Sequence, residues 1–253
     1  MAVTKLFGAS VKRREDPRMI TGRGNYTDDV HLPGMLSLAI LRSPHGHARI
    51  ARLDVDRARS MPGVVAVYTG ADLIDKAAPL PCAWPLPNAE MKIPEFRALA
   101  TDTVRFVGDG VAAVVATDSY AAQDAVDAIQ VEYEVLPAVI DQEKATQPGA
   151  TQLHADIPNN LAFHWQIGGG DVESALSDAD VVVSQRLVNH RLIPNAMETR
   201  GAVANYNPGS GDLTLWCTSQ NPHIHRLLLS AVTGLPETQI RVISTDVGGG
   251  FGS

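Results

Sequence analysis

The sequence is poor in the residues that build several common kinds of site. Among its 253 residues are only two cysteines, Cys82 and Cys217, far apart and outside any C-x-x-C pair. That excludes a disulfide framework and a zinc ribbon. It also excludes an iron–sulfur cluster held by this chain alone, since such clusters normally take four thiolates. Basic residues are outnumbered, with 21 Lys and Arg against 28 Asp and Glu and a net charge of −7. This balance argues against nucleic acid or an anionic membrane as the main partner, because both need a basic face. Apolar runs fall short of the roughly 18 residues that span a bilayer. The N-terminal "MAVTKLFGASVKRRED" reaches its charges too early for a secretory signal. A cytoplasmic protein is expected.

What is present is ordinary globular material, 45% hydrophobic and 19% charged, enough to bury a core. The runs "MLSLAILRS", "PGVVAVYTG", "TVRFVG" and "GVAAVVATD" read as strands, and "ARLDVDRARSM" as a short helix. A helix from Ser119 leads into the alternating strand Val131, Tyr133, Val135, which closes an α/β unit near Asp141. Between them the proline-rich stretch 77–94 reads as a long ordered loop. The polar, aperiodic stretch 142–160 reads as a linker, and a second α/β region starts near Leu161, with a helix capped by Asp171 followed by a β-branched strand through "VVVSQRL".

The strongest pattern is "GDLTLWCTSQNPHIHRLLLSAVTGLPETQIRVISTDVGGGFGS". Leu213, Leu215 and Cys217 alternate with Thr214 and Trp216 as in a half-buried strand. Asn221 can cap a helix whose first turn accepts Pro222 and which Gly234 stops; a second strand, 239–245, then ends at the glycines. Gln220 and the run Gly248 to Gly252 thus both follow the carboxyl ends of strands, where open α/β structures bind ligands. Both readings of the glycines stay open, as a tight turn or as a ligand loop. A dinucleotide fingerprint is excluded, since Ser253 stands where it needs glycine, and a P-loop lacks its Lys-Ser/Thr.

The phrase "CTSQNPH", followed by "VGGGFG", resembles the molybdenum-cofactor-binding region of the xanthine dehydrogenase and aldehyde oxidase family. The stretches "DPRMITGRGNYTDDVHLPGML", "RSPHGHARI", "VRFVGDGVAAVVATD", "GDVESALSDADVVV" and "RLIPNAMETRG" agree with it in order. Within that family the sequence is similar to the large subunits of bacterial three-subunit members of the aerobic carbon monoxide dehydrogenase type. The resemblance implies an α/β (α+β) fold: an N-terminal extension over 1–21, an α/β hammerhead domain over 22–141, a linker over 142–160 and the beginning of a molybdopterin-binding domain over 161–253. It makes Gln220, Gly249, Gly250, Phe251 and Gly252 the cofactor-binding residues. Gln220 and Phe251 would contact oxygens on the molybdenum through an amide and through backbone.

The cofactor implied is molybdenum-molybdopterin in its cytosine dinucleotide form. The activity implied is oxidation of a small molecule with water as the oxygen source, electrons passing to an iron–sulfur small subunit and then to an FAD-binding medium subunit. The family's glutamate base lies later in family members, so no catalytic residue is assigned here, and neither is the substrate among carbon monoxide, aldehydes and N-heterocycles. A fragment, a truncation or one piece of a split large subunit is expected, working with the remainder of that subunit. The alternative is a non-catalytic assembly module docking through the hammerhead domain and the 77–94 loop. His45-x-His47 and His223-x-His225 lack the spacing of a zinc hydrolase site and are expected to pack. Glu198 and Arg200 read as an ion pair or as neighbours of the active-site mouth, and both cysteines as buried thiols.

Overall fold

Strands form where the β-branched and alternating runs lie. The computed structural model describes residues 7–82 and 86–252, and its strands are β1 (Ser37–Arg42), β2 (Ala48–Asp54), β3 (Val64–Thr69), β4 (Thr103–Val104), β5 (Gly110–Ala116), β6 (Gln130–Val135), β7 (Ala202–Asn207), β8 (Asp212–Cys217) and β9 (Ile240–Ser244). The α-helices are α1 (Asp16–Met19), α2 (Asp56–Arg59), α3 (Gly70–Leu73), α4 (Ser119–Asp127), α5 (Val172–Ser177) and α6 (Pro222–Thr233). Two compact units result. One comprises Pro33–Leu192 and Leu227–Pro236; the other comprises Met1–Leu32, Ile193–Arg226 and Glu237–Ser253.

The first unit is built around β5. It is the middle strand of the antiparallel sheet β1-β5-β3, while β4-β2-β6 form a second antiparallel sheet. Its alternate residues serve two clusters. Ala112 and Val114 pack with Ala125 and Val126 of α4, whereas Val111 packs with Ala48 of β2 and Val104 of β4. Valine and alanine on both faces explain the continuous apolar run, since a strand covered on both sides has no polar face to alternate with. Each buried valine contributes on the order of 2 kcal/mol. Helix α4 starts where Asp118 Oδ1 accepts the Tyr120 and Ala121 N–H groups at 3.0 and 2.9 Å. Its buried Ala122, Ala125 and Val126 follow the three-and-four spacing of one helix face.

Three local expectations are corrected. The stretch 51–61 is not one helix: Ala51 to Asp54 belong to β2, and only Asp56–Arg59 is helical. β2 also carries an irregularity between Ile50 and Arg52, one extra residue on that strand. That extra residue sets both arginines opposite acids two apart on β6, Arg49 on Glu134 at 2.7 Å and Arg52 on Glu132 at 3.6 Å. The strand expected through "TVRFVG" is only Thr103–Val104, and no strand is described through 181–187, where Val181, Val182 and Val183 are exposed. A strand needs a hydrogen-bonded neighbour, and high β-propensity does not supply one.

In the second unit β7 and β8 form an antiparallel hairpin, and β9 runs parallel to β8. Parallel neighbours cannot be joined by a tight turn, and α6 lies in the connection between them. The register pairs Cys217 at the end of β8 with Ser244 at the end of β9. The segments that follow, Thr218 to Asn221 and Thr245 to Gly252, therefore leave the sheet side by side. Among the described residues no helix is long and apolar enough to cross a membrane.

Candidate functional site

The two strand-end segments are tied to one another first by a serine hydroxyl. Ser244 Oγ donates to the Ser219 carbonyl at 2.7 Å, and the buried Ser219 accepts the Asn221 N–H on its own Oγ at 3.0 Å. Asn221 Oδ1 then accepts the Ile224 N–H at 3.3 Å, capping α6 with Pro222 in its first turn. These bonds hold Gln220 in the turn between the carboxyl end of β8 and the start of α6.

Glycine is required on the facing wall by close approach. A Cβ at Gly250 would lie 2.5 Å from Gln220 Oε1 and 2.8 Å from its Cγ, and one at Gly249 would lie 2.8 Å from the Ala196 Cβ. Gly249 also adopts φ +134°, Phe251 φ +50° and Gly252 φ +79°. A non-glycine residue in the left-handed region is uncommon, and Phe251 is 73% exposed, so its conformation is not imposed by burial of the ring. The structure thus brings Gln220 and Gly250 into contact, with Gly249, Phe251 and Gly252 following on the same loop.

Glu198, for which the sequence offered Arg200 as partner, and three residues that no motif singled out, Thr27, Arg18 and Asp246, complete the frame. Glu198 does not pair with Arg200 among the described ion pairs; its Oε2 accepts the Gly248 N–H at 2.7 Å and its Oε1 the Thr27 N–H at 3.3 Å. Thr27 is buried, and its hydroxyl shares hydrogen bonds with Thr218 at 3.3 Å and Thr245 at 3.2 Å. Asp246 takes both guanidinium nitrogens of Arg18 and the Asn25 N–H at 2.8 Å, and donates its own N–H to the Asn25 carbonyl at 2.9 Å. Arg18, then the Asn25 bond, hold the Asp246 carboxyl down at about 2. Positions 18 and 246 are too distant in sequence for any local pattern to pair them.

The remaining candidates pack or cap. His47 Nδ1 faces the Pro137 carbonyl at 2.9 Å, and the His45 ring meets Tyr133 edge-on at 4.9 Å. His225 Nδ1 lies 3.5 Å from the buried Cys217 Sγ, whose thiol is pushed up by burial. Cys82, expected to be buried, is exposed, and it lies outside every described helix and strand. Asp171 caps α5 through the Ser174 N–H at 3.0 Å, as its position predicts. Among the described residues no group of three or more His, Cys, Asp or Glu could hold a metal ion.

A second concavity, about 490 Å³, lies in the first unit between Phe96, Arg97, Arg105, Phe106, Asp109 and His154. Burial raises Asp109 and lowers His154. However, Arg105 is committed to the Leu153 and Thr103 carbonyls at 2.9 and 3.2 Å, and its N–H to Asp109 at 3.1 Å. These polar groups secure loops to one another.

The strand-end crevice therefore offers an amide side chain at a helix N-terminus against a side-chain-free backbone. Comparison with known proteins gives the chain a family. A model described as "Aldehyde oxidase and xanthine dehydrogenase, a/b hammerhead domain" matches residues 21–137, and one for the molybdopterin cofactor-binding domain matches residues 153–253. The chain belongs to the xanthine dehydrogenase and aldehyde oxidase family. It carries the family's hammerhead domain followed by its molybdenum-cofactor-binding domain.

Among its relatives, the carbon monoxide dehydrogenase large chain of Hydrogenophaga pseudoflava is 41% identical over 95% of this chain and 31% of its own length. The nicotine 6-hydroxylase large subunit of Paenarthrobacter nicotinovorans is 39% identical over 98% of this chain and 30% of its own. The crystal structure of quinoline 2-oxidoreductase from Pseudomonas putida 86 superposes with a TM-score of 0.83 at 38% identity, covering 97% of this chain and 31% of that one. The chain spans about a third of the length of these curated relatives.

Proposed function

We propose that this chain supplies the hammerhead domain and part of the cofactor-binding wall of a molybdenum hydroxylase large subunit of the carbon monoxide dehydrogenase type, oxidising a small molecule with water as the oxygen source. The observation that carries the reading is the contact of Gln220 with Gly250, in which a Cβ would fall 2.5 Å from the amide oxygen. A cradle from which side chains are excluded fits a flat, polar prosthetic group that must lie against backbone. Such a wall offers N–H donors without steric screening.

In this reading Gln220 donates its amide to an oxygen on the bound group, and Gly249, Gly250, Phe251 and Gly252 lay backbone against it. The group itself, molybdopterin in its cytosine dinucleotide form, would accept two electrons from the substrate. Ser219, Ser244 and Asn221 keep the amide aimed by closing the turn before α6. Electrons would leave to an iron–sulfur subunit and an FAD subunit, since two cysteines cannot hold the clusters. The domains of the reading are 22–141 for the hammerhead, 142–160 for the linker and 161 onward for cofactor binding.

The test is elemental and chemical analysis of protein purified from its natural host with whatever chains accompany it. Near-stoichiometric molybdenum, a fluorescent pterin oxidation product and released CMP are expected. Protein that associates stably with flavin or iron–sulfur chains but contains neither metal nor pterin would contradict the reading and favour an assembly module.

A further inference from the structure

We propose that the N-terminal segment from Arg18 to Thr27 is a brace that sets the spacing of the two cofactor loops, with Thr27 and Glu198 as its positioning residues. The proposal rests on reading the Gln220 and glycine segments as one site. Nothing in the family-level assignment gives the N-terminal segment that work. The segment's side-chain anchors reach both loops, and its Thr27 N–H reaches Glu198, which itself holds one of them. Arg18 and Asn25 grip Asp246, two residues before the glycines. The Thr27 hydroxyl stands between Thr218, two residues before Gln220, and Thr245, the first residue after β9. Its N–H meets the same Glu198 carboxylate that receives the Gly248 N–H.

Thr27 is 4% exposed, so these bonds form in a setting where a lost partner is not replaced by water. The arrangement is a three-point bridge with one buried hydroxyl at its centre. Neither cofactor loop contains Thr27, and no contact of Thr27 with a bound group is needed for it to act. A brace of this kind governs how far the loops separate. Gln220 and Gly250 can meet a common ligand only when both threonines are held.

The decisive variant is Thr27→Val, which keeps the shape and the backbone N–H and removes the hydroxyl. Hydrogen exchange followed by mass spectrometry reads loop opening whether or not cofactor is bound. Amides in 246–252 and 218–221 should exchange at least tenfold faster than in the wild type, with amides in 212–217 and 240–244 unchanged. Glu198→Gln, which places an amide donor against an N–H donor, should reproduce the effect in 246–252. Molybdenum per chain should fall in parallel for both variants, and wild-type content should return in Thr27→Ser. Loop exchange equal to wild type in both variants would overturn the proposal, and so would a uniform rise across strands and loops. Wild-type protein devoid of molybdenum and pterin would instead sink the functional reading, leaving the exchange result to judge the brace by itself.

Discussion

Replacing Gly250 and Gly248 by alanine, one at a time, should separate stability from cofactor binding. Neither glycine has positive φ, so alanine brings no backbone strain at either position, and the outcome depends on what the new Cβ meets. At Gly250 it meets the outer part of a long flexible side chain, Gln220 Oε1 at 2.5 Å and Cγ at 2.8 Å. Both lie about 1 Å inside ordinary contact. Gln220 can swing aside at the cost of an imperfect rotamer, about 0.5–1.5 kcal/mol. At Gly248 the new atom meets the root of Glu198, with its Cβ and its backbone nitrogen, the latter at 3.3 Å, as neighbours. That end cannot swing, and overpacking of this kind costs about 1–3 kcal/mol.

Thermal unfolding should therefore fall by about 2–4 °C per kcal/mol, more for Gly248→Ala than for Gly250→Ala. Molybdenum content should show a different pattern. Displacing the Gln220 amide from its aim should lower metal retention by about 10-fold or more, even though Gly250→Ala remains well folded. Full molybdenum in Gly250→Ala, or a stability loss larger than that of Gly248→Ala, would refute the reasoning that the Gly250 position is reserved for Gln220 and a ligand rather than for the turn.

Acid titration should report Asp246. Its folded carboxyl sits at about 2 against an ordinary 3.8, so its stabilisation is present above pH 4 and is lost as pH falls toward 2; Asp246→Asn should flatten that part of the unfolding profile and leave the rest. Asp118→Ala removes the acceptor for two N–H groups at the start of α4 and should lower stability by about 1 kcal/mol in urea titration, with an unchanged m-value. A thiol reagent should modify one cysteine quickly in the native protein, Cys82, and the second, Cys217, only after unfolding, since one is exposed and the other buried with its thiol pushed up. Two fast thiols would contradict the packing of Cys217 against His225.

The elements that carry Gln220 and the glycines were legible because each sits in a short, strongly patterned stretch. The alternation through Cys217, the cap and proline at 221 and 222, and the glycines after the second strand are local signals, and β8, α6 and β9 form where those signals lie. That Gln220 and Gly250 touch follows from the parallel register, which two strands and one intervening helix imply. The brace was not legible, because Thr27, Glu198 and Asp246 belong to three separated segments joined only in the fold. Glu198 was drawn toward Arg200 by proximity in sequence, yet two backbone N–H groups claim its carboxylate. In β2 the misreading had a different origin: residues 51–54 were grouped with the short helix that follows them, whereas in the fold they belong to the strand that pairs with β6. Over 181–187 composition favoured a strand for which no partner is described.

The loops beyond the carboxyl ends of β8 and β9 are proposed to hold molybdenum. The measurement that tests this most directly is a crystal structure of the natively purified protein with anomalous data collected on either side of the molybdenum K edge. A single strong molybdenum peak is expected for this chain, beside the Gln220 amide and the backbone of Gly249 to Phe251. A peak bound by other residues, or a crevice filled by protein side chains with no anomalous density, would contradict it.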